Sequence, residues 1–317
     1  MADHPPRAAG RTLAGFAVFA LVLLVVVPLA LASQPYWLTV FSNAALLALG
    51  SLGVWLTFSI GRINIAQGAF TLVGGYVTAI LATRYGISFW VCLPLSAAVA
   101  ALVGGLVGWP ILRLRGVYFS MITLSLTSTA GLLFLNGGAL THGAEGINNI
   151  PRPAVLSSNL AFYLASAVLL LLGTAVIWRF AHSRLGYVFR SMRQNEDLAW
   201  SLGIDVARYR ILAFVVSSAM GGIVGAMFAI SQQSIFPSSY TVNDSVTFML
   251  YCFLGGLDYV AGPVFGAFLL VIAFQLLSAI ESYQALLYGV FMIGCMLLRP
   301  NGLLSLVLAP PGAEQSS

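Results

Sequence analysis

The chain contains no lysine. All fourteen of its basic residues are arginine, set against nine acidic residues and three histidines in 317 positions. A phosphate-binding loop of the form G-x-x-x-x-G-K-[ST] needs a lysine ammonium to reach the β- and γ-phosphates, so that loop is excluded. If nucleotide hydrolysis drives this protein, another chain carries it out. His4, His142 and His182 are scattered without ligand spacing. Cys92, Cys252 and Cys295 stand singly in apolar segments, where packed free thiols are expected. Metal chemistry is therefore not expected. Charge is scarce too: 7% of residues are charged, against about 25% in soluble domains. The net charge of +5 comes from arginines at the edges of apolar runs, which points to membrane topology and not to nucleic acid.

What the chain has in abundance is apolar sequence, 60% hydrophobic with a mean hydropathy of +0.96. Apolar windows of about 20 residues recur, the length of a transmembrane helix. Lipid offers no partner to an exposed backbone amide, so spans are helices or closed barrels. Barrel strands alternate with a period of two, and these runs do not. The expectation is an all-α polytopic bundle of about ten helices. They fall at 13–32, 36–60, 68–83, 88–112, 117–136, 159–180, 211–231, 245–257, 263–281 and 284–298. The apolar body, 13–300, lies between an N-terminal tail, 1–12, and a C-terminal tail, 301–317. The run at 13–32 exceeds the 7–15 residues of a signal peptide's apolar region and reads as a retained helix. The short run at 245–257 is either a full helix or a partly inserted, broken one. With both termini in the cytoplasm, only Arg84 and Arg152 fall outside and the other twelve arginines inside, as the positive-inside rule requires. Gly104-Gly105-x-x-Gly108 and Gly221-Gly222-x-x-Gly225 offer small faces for close packing, within the subunit or between subunits.

One polar island interrupts this pattern. From Arg179 to Arg210 the chain carries six arginines with Glu196, Asp197 and Asp205 among them. Residues 194–204 form a short helix: Asn195 suits the N-cap, Glu196 and Asp197 suit its positive end, and Gly203 can close it. Leu198 and Leu202, four apart, share one face. Such a helix either lies along the lipid surface or docks on a soluble partner.

The predicted spans hold essentially no ionisable side chain; Asp244, Asp258 and Glu281 are placed near span ends. Ion-coupled transporters usually keep an intramembrane acid or histidine, although sodium sites built from carbonyls exist. No filter motif suggests a channel, and no paired carboxylates or metal-ligand spacing suggest an embedded enzyme. Energy supplied from outside the membrane is the remaining reading. The candidate path residues are the uncharged polar ones: Asn43, Asn64 and Gln67, and from the hydroxyl run of the fifth helix Thr123, Ser125 and Thr127. That run, which includes Ser128 and Thr129, is too compact for every hydroxyl to face one cavity. The alternative for each serine and threonine is a bond back to its own helix or a contact between helices.

Several stretches resemble a known family. Asp197-Leu198-Ala199-Trp200-Ser201-Leu202-Gly203 is similar to a Glu-Ala-Ala-x-x-x-Gly segment, with Asp for Glu and Leu for the first Ala. Ser183-Arg184-Leu185-Gly186, followed by Arg190 and Arg193, looks like the approach to that segment, with Tyr187 in place of an Arg. Ala207-Arg208-Tyr209-Arg210-Ile211-Leu212-Ala213-Phe214 resembles T-R-Y-K-L-L-A-F. Gln67-Gly68-Ala69-Phe70 resembles G-H-G-A-F, and Leu112-Arg113-Leu114-Arg115-Gly116-Val117-Tyr118 resembles L-R-L-R-G-I-Y. Leu254-Gly255-Gly256-Leu257 with Gly262-Pro263 resembles L-G-G-x-G-S-x-x-G-P, with Asp258-Tyr259 replacing Gly-Ser, and Arg299-Pro300-Asn301-Gly302-Leu303-Leu304 is similar to R-P-x-G-L-L.

In this order, over about 45–305, the stretches resemble the permease subunits, of the LivM type, of ABC importers for branched-chain amino acids. The resemblance implies a membrane permease of ABC importer architecture that is not itself an enzyme. Glu196, Asp197, Leu198, Ala199, Leu202 and Gly203 would dock into a cleft of an ATPase. The partners implied are a second, homologous permease, two ATPase subunits carrying ATP and magnesium, and an extracytoplasmic solute-binding protein, in the inner membrane of a bacterium. This chain would bind no cofactor. Urea, short amides or other amino acids are alternative substrates within the family; an ion-coupled transporter acting alone is the alternative from another class.

Overall fold

The computed structural model describes residues 18–31, 34–114, 116–277, 289, 293–294 and 302–304. The tail 1–12, Glu281 and Cys295 lie outside them, as do nearly all of the expected tenth helix, 284–298, and of the C-terminal tail. Eleven helical elements longer than three residues occur among the described residues. They are α1 (Val18–Leu31), α2 (Pro35–Phe58), α3 (Gln67–Arg84), α4 (Phe89–Ile111), α5 (Val117–Leu135), α6 (Asn159–Ala181), α7 (Arg184–Gln194), α8 (Glu196–Ser201), α9 (Val206–Gln232), α10 (Val242–Gly255) and α11 (Gly262–Leu277). Five of them, α2, α4, α5, α6 and α9, are long and apolar enough to cross a membrane. A two-residue ribbon, β1 (Ile147–Asn148) against β2 (Ser234–Ile235), ties the 137–157 loop to the far end of α9.

The bundle is built around α2 and α9. Their most apolar windows are 72% and 61% buried, against 28% for α4 and 22% for α5, so α4 and α5 form the outer wall. Helix α9 packs on α4, α3 and α2. Its glycines make that possible: a Cβ on Gly222 would collide with Ser96 and Ala100 of α4, and one on Gly74 of α3 would collide with the Gly222 backbone. Gly104 and Gly108 likewise sit against Ser218 and Phe214. The small-residue faces therefore serve packing within the chain.

Two breaks in the helices set up the interior. Helix α2 ends before Gly61, whose φ of +77° is cheap only for glycine, and residues 62–66 are not helical before α3 starts. Helix α10 has only 14 residues. The chain from 236 to 241 runs without helix, and Thr241 with Asp244 then forms a capping box that fixes the start of the helix. The short run expected at 245–257 is thus the broken form. Helix α3 lies beside α9 in the same direction (Thr71 and Gly74 against Gly221, Gly222 and Gly225), and α10 lies beside α2 (Gly50 by Phe248, Trp55 by Leu257). Because α2 and α9 are antiparallel, α3 and α10 point their N-termini at each other inside the bundle. Asp244, expected near a span end, consequently lies at depth. Arg62, expected at a membrane edge, is 4% exposed.

Candidate functional site

The first break is wrapped by side chains. Backbone groups released from a helix need other partners when water is excluded, and here hydroxyls and amides provide them. The Ile65 N–H donates to Thr123 Oγ1 (3.2 Å) and the Thr127 hydroxyl donates to the Ile65 carbonyl (3.2 Å). The Ala66 N–H donates to Asn64 Oδ1 (2.9 Å). Gln67 and Ser217 pair reciprocally: the Ser217 hydroxyl donates to Gln67 Oε1 (3.2 Å), and Gln67 Nε2 donates to the Ser217 carbonyl (3.3 Å). The Gly68 N–H donates to Ser245 Oγ (2.9 Å), which lies 3.1 Å from Thr127 Oγ1. All six polar side chains are at most 1% exposed. The result is a closed, uncharged cradle drawn from α3, α5, α9 and α10.

The structure brings together four of the six path residues named from sequence: Asn64, Gln67, Thr123 and Thr127. Thr123 and Thr127 are one helical turn apart and face inward. Ser125 is exposed on the opposite side of α5, its hydroxyl bonded back to the Met121 carbonyl (3.0 Å). Asn43 is half-buried on α2, about 15 Å along the helix from Gly53, the α2 residue that touches Gln67. Neither belongs to the cradle. Ser217 and Ser245 were missed, because a lone serine in an apolar helix carries no sign of the face it occupies.

The polar island folds as two helices, α7 and α8, where the sequence suggested one. Helix α7 buries Gly186, Phe189 and Met192 on one face and leaves Arg184, Tyr187, Arg190 and Arg193 exposed. Asn195 caps α8 by accepting from the Leu198 N–H (3.0 Å), and Gly203 ends it at φ +84°, as the residues implied. Leu198, Trp200 and Leu202 of this segment are 57%, 72% and 72% exposed, an apolar surface left uncovered by the described residues. Asp197 and Gly203 lie on the same open side, beside a cleft of ≈ 600 Å³.

Two of the residues proposed for docking turn inward instead. Ala199 is 1% exposed; it is packed as the base of the helix. Glu196 is held between two buried arginines. Its Oε2 lies 2.9 Å from Arg62 Nη2, and its Oε1 pairs with Arg210 Nη2. Arg62 also donates to the Leu114 carbonyl (2.7 Å) and Arg210 to the Leu112 carbonyl (3.0 Å). One carboxylate therefore fastens α8 to the root of α9, to the turn after α4 and, through Arg62, to the segment that forms the cradle.

The profile of the family described as "Branched-chain amino acid transport system / permease component" matches residues 36–298, a stretch that includes both the cradle and the island. The chain belongs to this family. The permease is 32% identical over 271 residues to the high-affinity branched-chain amino acid transport system permease protein LivM of Salmonella typhimurium, and equally to that of Escherichia coli. Each alignment covers 77% of this chain and 64% of the relative's length. It is 27% identical to a probable branched-chain amino acid transport permease protein, LivH, of Methanocaldococcus jannaschii, over 83% of this chain and 89% of that one. It is also 27% identical to the autoinducer 2 import system permease protein LsrC of Klebsiella pneumoniae, over 80% and 74%. No solved structure matches. The chain thus spans about two thirds of the length of those LivM relatives, and its five long apolar helices agree with a multi-pass member of a membrane permease family.

Proposed function

We propose that the permease carries branched-chain or related amino acids across the inner membrane of a bacterium, passing them through the region that the cradle closes. Its working assembly contains a second, homologous permease, two ATPases loaded with ATP and magnesium, and an extracytoplasmic binding protein that delivers the substrate. The island faces the cytoplasm and the 137–157 loop faces out. Helix α8 presents Leu198, Trp200 and Leu202 to an ATPase cleft. The thinly covered outer face of α5, with Ser125 on it, lies toward the second permease.

The observation that carries this reading is the cradle itself. Non-helical backbone at membrane depth persists where it is buried in protein or lines a water-filled cavity, and here its bonds are all made by neutral groups. Neutral groups can exchange partners with a passing zwitterion without leaving a bare charge behind. In the closed state the Gln67–Ser217 and Gly68–Ser245 bonds hold α3, α9 and α10 together. Motion of the coupling helices would part them and expose the same donors and acceptors to substrate. The autoinducer 2 permeases among the relatives favour a second reading, a different small polar solute on the same path.

The test is ATP-driven uptake by the reconstituted complex carrying Gln67→Ala or Thr123→Ala. A fall of tenfold or more in leucine uptake with assembly intact is expected. Unchanged uptake kinetics in both variants would remove the cradle from the path.

A further inference from the structure

A cavity of ≈ 910 Å³ lies on the island side of the bundle and shares no residue with the cleft beside α8. Its volume is within the range of about 300–1,000 Å³ typical of small-molecule sites. The walls are apolar and largely aromatic: Phe19 of α1, Trp55 of α2, Trp178 of α6, Phe189 of α7, and Phe265 and Phe268 of α11. The mouth is open at α11, where Ala261 is exposed and Phe265 is 37% exposed. The rim is polar, formed by His182, Arg190, Arg193 and Asp258.

Two features place this cavity where hydrocarbon meets water. Helix α6 crosses as 23 residues and ends at Ala181, with Trp178 in its last turn, a position where interfacial tryptophans collect. Helix α7 follows at once and has the form of a helix lying at a membrane surface. It buries Gly186, Phe189 and Met192 and turns Arg184, Arg190 and Arg193 outward.

The sign of the rim is positive. Two arginines against one aspartate leave one positive charge in excess. Arg193 Nη1 lies 3.1 Å from Asp258 Oδ1 in an exposed pair. A guanidinium has five N–H donors, so Arg193 can hold Asp258 and a further anion together. Arg190 lies 4.8 Å from the centre of the Tyr187 ring and has no acidic partner among the described residues. Helices α7 and α11 begin at this rim, whereas α2, α6 and α10 finish near it. Helix ends of both signs therefore meet here, and the arginines decide the charge.

We propose that an anionic phospholipid occupies this cavity, with an acyl chain among the aromatic rings and its phosphate against Arg190 and Arg193. A phospholipid joins the two chemistries that the cavity joins, and basic pockets between transmembrane helices take lipid headgroups in this way. Guanidinium forks suit phosphate oxygens. Because α7 leads through Asn195 into α8, the lipid ties the root of that helix to α1, α2 and α11. The site is separate from the cradle and holds whichever solute is carried.

The experiment uses the full-length chain, purified with its partner subunits in mild detergent, and counts bound lipid by native mass spectrometry. Dioleoyl phosphatidylglycerol and dioleoyl phosphatidylcholine are the probes. Wild type should retain one phosphatidylglycerol per chain in preference to phosphatidylcholine. Arg190→Ala with Arg193→Ala should weaken that retention about tenfold or more, each arginine near an anionic headgroup contributing a factor of about five. The double change to Lys should keep most of it. Both side chains are exposed, so the melting temperature of the complex should not move. Ala261→Trp leaves the charges alone and should lower retention by filling the mouth. Equal retention by wild type and the double Ala variant, or of the two lipids, would overturn the site. Displacement by inorganic phosphate would reduce it to a surface anion contact. A wild-type complex that retains no phospholipid would leave the cavity to another occupant, such as the 284–298 segment, and sink the proposal.

Discussion

Removing the Glu196 carboxylate should release α8 from the rest of the bundle. In Glu196→Ala, Arg62 and Arg210, whose side chains are 5% and 9% exposed, lose their shared anion. Breaking a buried pair by deleting one partner costs about 3–5 kcal/mol, because the remaining charge stays buried and uncompensated. Glu196 itself is 22% exposed, so water recovers part of that, and about 3 kcal/mol is the reasonable figure. At 1.36 kcal/mol per decade this raises the open population of α8 roughly 150-fold. Hydrogen exchange measures it directly: amide protection over 196–204 should fall by about two orders of magnitude, while the interior of α9 is unaffected. A triple change to apolar residues, Glu196→Leu with Arg62→Met and Arg210→Met, leaves no buried charge and should restore most of the protection, as apolar replacements of buried ion networks do elsewhere. Protection in Glu196→Ala within threefold of wild type, or a triple variant worse than the single one, would refute the idea that this carboxylate fastens the helix.

Two further outcomes follow from the packing. Gly74→Val places a branched side chain against the Gly222 backbone, an overpacking that costs about 1–3 kcal/mol or more. The yield of monodisperse protein in detergent should drop sharply, and normal yield would contradict the close approach of α3 and α9. On α8 the two faces should separate cleanly. Leu202→Asp, at a 72% exposed position, should weaken ATPase co-purification with thermal stability unchanged, whereas Ala199→Leu should destabilise the island by about 1–3 kcal/mol. Equal effects of the two on assembly and stability would show that the exposed face is not the docking face.

Helicity and membrane placement were written into the sequence because both follow from composition: long apolar runs cannot satisfy their backbone in lipid except as helices. The ends of α8 were equally legible, since Asn195 and Gly203 act on groups within a few residues of themselves. The hydroxyl run of α5 was legible as too compact to face one cavity, but the sequence named Ser125 beside Thr123 and Thr127, and only the packing separated them. What the sequence could not fix is the direction each face points. In a soluble helix, polarity marks the side away from the core; in these helices lipid and core are both apolar, so that mark is missing. Hence the inward turn of Ser217 and Ser245, the buried pairing of Arg62 and Arg210 with Glu196, and the mid-depth position of Asp244 were decided only when α3 and α10 stopped short and met end to end inside the bundle.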